Sequence, residues 1–336
     1  MAKTLVLGAS GFLGSHVTTQ LVDDGRDVRI LLRKTSDTQA TDHLDIERCY
    51  GDVNDIESLK QAMNGCDSIF YCAVDTRAWL RDTSPLYRVN VDGLYNAMDA
   101  ALEVEVKHFV FSSSFVTVGL NSGGVSDETD VFNWWEQAPD YIRCLVTAEK
   151  RFLEYSKDHD FPGVACCIGN TYGSGDFAPT PHRQMVLDAA KGNMPFYWNG
   201  GGPSVGIIDA ARAMILAEKN GHIGERYVIA ERWLSFQELF SLAATAAGVA
   251  PPKRCLPKFM VYVVAGIAEI VTRFQGKENP MNLASIKCSS MINDINTDKA
   301  KNELGWQPRP IEESIKEAVA FYLNHRQSCN SKTRSS

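Results

Sequence analysis

The sequence predicts an α/β protein, a doubly wound parallel sheet followed by a smaller α+β lobe, and three observations carry that expectation. Short β-branched runs alternate with amphipathic segments through the first half. A glycine-rich turn, Gly8-Ala-Ser-Gly-Phe-Leu-Gly14, joins the first such run to the first amphipathic segment. Past about residue 170 the apolar runs shorten and helical patterns dominate.

The elements follow in order. Thr4–Leu7, Val28–Leu32, Ser68–Cys72 and Lys107–Phe111 are nearly continuous apolar runs, with a further strand closing at Tyr50. Runs apolar on both faces belong to a parallel sheet covered on both sides. Between them, Phe12–Asp24, Ile56–Met63 and Pro85–Leu102 read as helices. In the first, Leu13, Val17 and Leu21 recur every four residues and give one apolar stripe. Strand–helix–strand repetition implies right-handed crossovers. Gly163–Ile168 is another strand; Ser204–Ile208 and Arg226–Ile229 are shorter ones, with helices at 209–219, 234–247 and 311–325. No repeat of solenoid period occurs.

The bulk numbers narrow the function classes. With 336 residues, 44% of them hydrophobic and 22% charged, the chain can build a sizeable core. A net charge of −7 argues against nucleic-acid or anionic-membrane partners. Nine cysteines without a CxxC pair read as reduced thiols of a cytoplasmic protein rather than a disulfide frame or a zinc site. MAKTLVLGASG enters a strand at once, without the pattern of a secretory signal. The longest apolar run, Phe259–Val271, is broken by Glu269. It is too short to span a bilayer, which needs about 20 residues. It is expected to be a buried or pocket-lining helix, with membrane-surface contact as the alternative.

The glycine turn sits where a strand–helix unit holds a dinucleotide, which makes the sheet Rossmann-type. Gly8 and Gly11 can take backbone angles barred to other residues and leave room for a pyrophosphate, and Gly14 permits close helix–strand packing. Gly8, Ser10, Gly11, Phe12, Leu13 and Gly14 thus present free N–H groups and a positive helix end to phosphates. An NAD site carries an acid after the second strand to bond the ribose 2′-hydroxyl. Here Arg33-Lys34-Thr35-Ser36 stands in its place. A guanidinium grips a 2′-phosphate bidentately and Ser36 adds a hydroxyl, so NADPH/NADP+ is expected over NADH/NAD+. The alternative is that Arg33 stacks on adenine. Asp52 and Val53 are expected at the adenine edge, Asp52 alternatively capping the helix near Asn54. Ala73 and Thr171, with Tyr141, complete the expected cofactor surface. Residues 1–169 then form the dinucleotide-binding domain, 170–325 mainly the substrate-binding lobe, interleaved with it, and 326–336 a disordered tail.

Six islands in order, Gly8–Gly14, Gly51-Asp52-Val53, Asn90-Val-Asp-Gly93, Phe109–Ser114, Tyr172-Gly-Ser-Gly-Asp176 and Val205–Arg212, together with Glu303-Leu-Gly-Trp306-Gln-Pro308, resemble the extended short-chain dehydrogenase/reductases. The chain is most similar to their dihydroflavonol-reductase-like and 3β-hydroxysteroid-dehydrogenase-like branch. The resemblance implies Ser114, with Ser113 as alternate, polarising a substrate carbonyl and Tyr141 exchanging the proton. It also implies a homodimer through the Tyr-bearing helix and its neighbour. The family's Lys, four residues past the Tyr, is replaced by Leu145. A free phenol has a pKa of about 10 and a nearby ammonium favours the phenolate; leucine supplies no charge and no hydrogen bond to the ribose. Lys150 lies about 180° round the helix from Tyr141, and Arg143 points elsewhere. Three readings stand open: an impaired or engineered variant of an active reductase, a reductase that works without the Lys, or a degenerate NADPH-binding sensor or scaffold.

Trp79, Trp134, Trp135, Phe177 and His182, with Trp198, suggest a large apolar or aromatic substrate pocket; lobe–lobe packing is the alternative. Asp209 and Arg212 read as a helix N-cap and a surface or interlobe pair. No cluster has metal spacing and no GxSxG elbow occurs. The leading expectation is an NADPH-dependent carbonyl reductase or alcohol dehydrogenase acting on a bulky small-molecule ketone or alcohol. Nucleotide-sugar epimerase or dehydratase is the enzymatic alternative, against which Arg33 weighs.

Overall fold

Along β1, Leu5 and Leu7 turn to one side of the sheet and Val6 to the other, all fully buried. This is why the run is apolar without alternation. The computed structural model describes residues 3–177, 180–257, 259–263, 266, 267, 272 and 292–332, with side chains of the last helix described to Asn324. β1 (Lys3–Leu7), β2 (Asp27–Leu32), β3 (Glu47–Tyr50), β4 (Cys66–Tyr71), β5 (His108–Ser114), β7 (Gly163–Ile168) and β11 (Arg226–Ile229) make one seven-stranded parallel sheet. Its order is β11-β7-β5-β4-β1-β2-β3. Winding reverses between β1 and β4, so the connections leaving their carboxyl ends diverge and open a crevice.

Helices cover both faces. Leu5, Leu7, Ile69, Tyr71, Phe109 and Phe111 pack under α2 (Ile56–Met63), α4 (Gly93–Glu103) and α5 (Asp140–Asp158). Val6, Ile30, Phe70, Val110 and Cys166 pack under α1 (Phe12–Asp23) and α7 (Ile207–Asn220). Phe109 alone meets Tyr71, Phe152 and Phe161 at centroid distances of 5.1–6.1 Å. Truncating a ring so enclosed costs about 3–5 kcal/mol.

The second lobe holds a three-stranded sheet, β12 (Arg232–Ser235), β10 (Gly201–Gly206) and β8 (Asn170–Tyr172). It packs with α6 (Pro181–Ala190), α8 (Phe236–Ala246) and the final helix, Ile311–Lys332. Two short pairs complete the sheets: β6 (Val125–Ser126) with β14 (Asp294–Ile295), and β9 (Phe196–Tyr197) with β13 (Arg254–Cys255).

Several expectations are corrected. Arg226–Ile229 is an edge strand of the main sheet, and α7 packs on α1, so the chain returns to the first lobe after residue 170. The strand expected to reach Ile208 stops at Gly206, and Ile207 opens α7. The segment Pro85–Leu102 is interrupted by a wide turn, Arg88–Asp92, between α3 (Ser84–Tyr87) and α4. The last helix runs to Lys332 and takes in most of the tail expected to be disordered, while residues 333–336 lie outside the described ones. Phe259 is 69% exposed, and Met260, Val263 and Ile267 are exposed with it. Among the described residues of that apolar run, Val261 is buried against Trp198 and Leu256. The buried-helix expectation therefore fails at its start, and most of the rest of the run lies outside the described residues. Among the described residues, no helix is long and apolar enough to cross a membrane.

Candidate active site

The crevice starts at Gly8. Its φ is +83°, and a Cβ there would lie 2.5 Å from the Cys72 carbonyl and 2.6 Å from the Ala73 nitrogen. The turn can therefore sit on the end of β4 only as glycine. A Cβ on Gly14 would lie 2.2 Å from the Gly8 carbonyl oxygen, so the first turn of α1 packs directly on the loop. Gly11 corrects the expectation: its φ of −83° is open to any residue, and its N–H donates to the Gly8 carbonyl at 3.0 Å. α1 has no side-chain cap and no acid in its first turn. Helix geometry leaves the N–H groups of Phe12, Leu13 and Gly14 without intrahelical acceptors, and Ser10 and Gly11 border them. An exposed, uncapped helix start above a cradle that a Cβ would fill suits a diphosphate. Farther along α1, the His16 Nε2 lies 2.9 Å from the Ser174 carbonyl and ties the helix to the second lobe.

Arg33 and Lys34 follow β2 and are exposed. The Arg33 N–H donates to Ser36 Oγ at 3.0 Å and the Ser36 N–H to the Arg33 carbonyl at 2.9 Å. Ser36 thus folds the loop back and still has its own proton to donate. Across the crevice, Asp75 is held by Arg77 through Nε at 2.9 Å and Nη2 at 2.5 Å. Burial pushes the Asp75 carboxyl up, but the Arg77 bonds and the Arg33 charge outweigh it and hold it below the usual range. Asp52 accepts from the Asn54 backbone N–H at 2.9 Å and side-chain amide at 2.7 Å. It does not cap α2; Asp55 does. Val53 packs on Gly93, and its carbonyl accepts from Asn96 at 3.1 Å. Asn90, buried in the wide turn before α4, donates to the Asp75 carbonyl at 3.1 Å and accepts the Asp75 N–H at 2.7 Å. Thr171 sits mid-strand in β8 opposite Val205.

Ser114 ends β5 with its hydroxyl facing the Val116 N–H at 3.5 Å. Ser113 does not share that freedom: its hydroxyl donates to the buried Glu149 carboxylate. Tyr141 opens α5, half-buried between the main core and a cluster of Phe132, Trp134, Ala138, Ile142 and Val146. Val116 packs on the same cluster, so the segment after Ser114 and the first turn of α5 meet there. Leu145 is buried, one turn past Tyr141. Arg143 turns away, Nε donating to the Trp135 carbonyl at 2.9 Å.

The model of the NAD dependent epimerase/dehydratase family matches residues 4–230. The chain belongs to that family. It is 29% identical over 322 residues to sterol demethylase protein B of Methylococcus capsulatus, covering 95% of this chain and 98% of the relative. It is 26% identical over 317 residues to the 4-hydroxy-2-methyl-3-oxo-4-farnesyl-3,4-dihydroquinoline-1-oxide ketoreductase of Stigmatella aurantiaca, covering 91% and 92%. Among solved structures, gox2253 superposes with a TM-score of 0.85 at 34% identity over 97% of this chain and 99% of that one. With reductase and dehydrogenase relatives along almost its whole length, this member of the epimerase/dehydratase family is an NAD(P)-dependent oxidoreductase.

In this epimerase/dehydratase-family protein the aromatic candidates divide. Trp134 is buried against Phe132 with its indole Nε1 lacking a protein acceptor. It lines an apolar cleft with Phe115, Val116, Leu120 and Ile295. Trp135 is 40% exposed, edge-on to Phe132 at 5.1 Å. Trp79 is half-buried in the loop after β4. Phe177 packs edge-on against Phe321 at 5.2 Å, and His182 edge-on against Tyr172 at 5.9 Å, both in the second lobe. Burial pulls the His182 imidazole down to about 4. Trp198 packs on Phe236 and Phe240 at 4.9 and 5.4 Å, within that lobe's core. Asp209 is not an N-cap; Gly206 is, and the Asp209 carboxylate meets Arg309 while Arg212 pairs with Asp24 at 2.8 Å. Burial pushes the Cys66 thiol up to about 11 and Cys144 and Cys166 to about 12, so these stay protonated. Among the described residues no group of three or more His, Cys, Asp or Glu could hold a metal ion. Sequence reasoning missed Glu149 and Arg226. The available signal was an acid at 149 on the helix face that buries Ile142, Leu145 and Phe152.

Proposed function

We propose that the chain is an NADPH-dependent carbonyl reductase acting on a bulky apolar or aromatic ketone, or on the corresponding alcohol in reverse. The observation that carries this reading is the meeting of Tyr141 and the segment after Ser114 on the Trp134 cluster. Gly8–Gly14 would hold the diphosphate, and Arg33, Lys34 and Ser36 the 2′-phosphate, with Asp52, Val53, Ala73 and Thr171 along the remaining cofactor surface. When bound, the nicotinamide supplies the hydride. Ser114 donates a hydrogen bond to the carbonyl oxygen. Tyr141 delivers the proton to that oxygen as the carbon is reduced, and is reprotonated from water. Reduction needs the phenol protonated, so the lack of an ammonium at Leu145 harms it less than oxidation, which needs the phenolate. Trp79, Trp134, Trp135, Phe177 and His182 are the proposed substrate surface. The relatives' printed names, a sterol demethylase component and a farnesyl-quinoline ketoreductase, support a large apolar substrate.

The test is a ketone and alcohol screen with NADPH and NADP+, run beside NADH and NAD+. Turnover favouring NADPH, falling roughly 10²–10⁴-fold in Tyr141→Phe, is the expected result. Calorimetry showing uptake of neither dinucleotide, or full turnover in Tyr141→Phe, would overturn the reading.

A further inference from the structure

Glu149 is 2% exposed, yet its carboxylate meets donors from four segments. Ser113 Oγ on β5 and Cys167 Sγ on β7, the latter at 3.0 Å, donate to Oε2, and Thr117 Oγ1 in the following turn shares its one proton between Oε2 at 2.8 Å and the Ser114 carbonyl at 2.7 Å. Arg226 Nη1 on β11 donates to Oε1 at 2.7 Å. Arg226 continues the network to the Glu128 carbonyl at 2.9 and 2.8 Å and to the Asp130 carbonyl at 3.0 Å. Burial and the adjacent carboxylate push the Cys167 thiol well above its usual value, so it remains a donor. Three of these donors converge on Oε2 and the guanidinium takes Oε1, so both carboxylate oxygens are engaged. Such a buried charge holds one rotamer, because losing any partner leaves a costly unpaired group.

Two of the four donors lie on either side of Ser114, and the carboxylate rides on α5, whose first turn carries Tyr141. Between Tyr141 and Glu149 α5 is continuous helix, about 12 Å of rigid rod. The carboxylate therefore sets the height and roll of that helix against the end of β5. We propose that Glu149 is a positioning residue for the Ser114–Tyr141 pair, acting through Ser113 and Thr117; this rests on the reductase reading above. Leucine at 145 supplies no charge at that position, and the clamp ties α5 to the end of β5.

The test compares full-length protein with Glu149→Gln and, in case that variant does not fold, Thr117→Val. Three readouts are taken: kcat with NADPH, the NADPH Kd, and hydrogen exchange of cofactor-loaded protein. For Glu149→Gln, kcat falls about 10- to 100-fold, the effect of displacing reacting groups by about 1 Å. For Thr117→Val, which removes a hydroxyl shared between the Glu149 carboxylate and the Ser114 carbonyl, the fall is about fivefold. The NADPH Kd stays within about twofold in both, and exchange rises at the end of β5 and the first turn of α5 but not at β1 or α1. Unchanged kcat in a folded variant overturns the proposal, even if exchange rises. If the unsubstituted chain reduces no ketone, the reductase reading fails on its own, and exchange decides the clamp: a local rise upholds it and no change overturns it.

Discussion

At residue 145 a buried leucine sits one turn past Tyr141 on α5. Leu145→Lys would put an ammonium near the phenol and favour its ionised form. The expected outcome is a rise in kcat of tenfold or more and a shift of the pH limb for alcohol oxidation to lower pH, read from pH–rate profiles of both proteins. A variant that binds NADPH tightly and gains nothing would speak for a non-catalytic binder. Arg33 is the second residue-scale test. Losing a charged double hydrogen bond to a 2′-phosphate costs about 1.5–3 kcal/mol, so Arg33→Ala should weaken NADPH roughly 10- to 150-fold and leave NADH nearly unchanged by calorimetry. The candidate positions Tyr141 and Leu145 were legible through the family resemblance. The choice between Ser113 and Ser114 was not, because it depends on an acid 36 residues away in sequence that takes one hydroxyl and leaves the other.

The elements around the crevice were read where their apolar pattern is continuous and misread where an extra residue intrudes. β1, β5 and β7 are buried on both faces, so their composition announces them. The wide turn Arg88–Asp92 has no such signature, since one added residue barely disturbs the apolar spacing of Leu86, Val91 and Leu94. Such insertions in a helix often mark functional positions, and this one aims Asn90 at both polar groups of the Asp75 backbone. Asn90→Ala orphans them. It should lower stability by about 1–3 kcal/mol in urea titration and weaken NADPH, because the loop that borders Gly8 loses its tether. Similarly, Gly14→Ala should abolish cofactor uptake while the far edge of the sheet stays protected in hydrogen exchange, since its methyl would collide with the Gly8 carbonyl.

For the molecule as a whole, the lobe boundary was the least legible feature. Arg226–Ile229 is as short as the strands of the second lobe, and only its parallel pairing with β7 assigns it to the first. The two lobes are further joined by His16 on α1, whose Nε2 lies 2.9 Å from the Ser174 carbonyl. Acid should loosen this union. Burial holds the His182 imidazole at about 4 against an ordinary value of 6.5, and burial also lowers His16. Between those values the unfolded chain binds more protons at this histidine than the folded one, so its contribution to stability falls as pH drops from about 6.5 to about 4. The His182 contribution is on the order of 3 kcal/mol, and His182→Gln should flatten that part of a thermal-melt series across pH. The late arrival of β11 also has a consequence for biosynthesis. A nascent chain that has just completed β7 presents Gly163–Ile168 as a bare, wholly apolar sheet margin, and its covering strand emerges only several seconds later at about 5–20 residues per second. During that interval the ribosome-bound half is a natural client for a holdase, and slowing translation between those two strands should lower soluble yield.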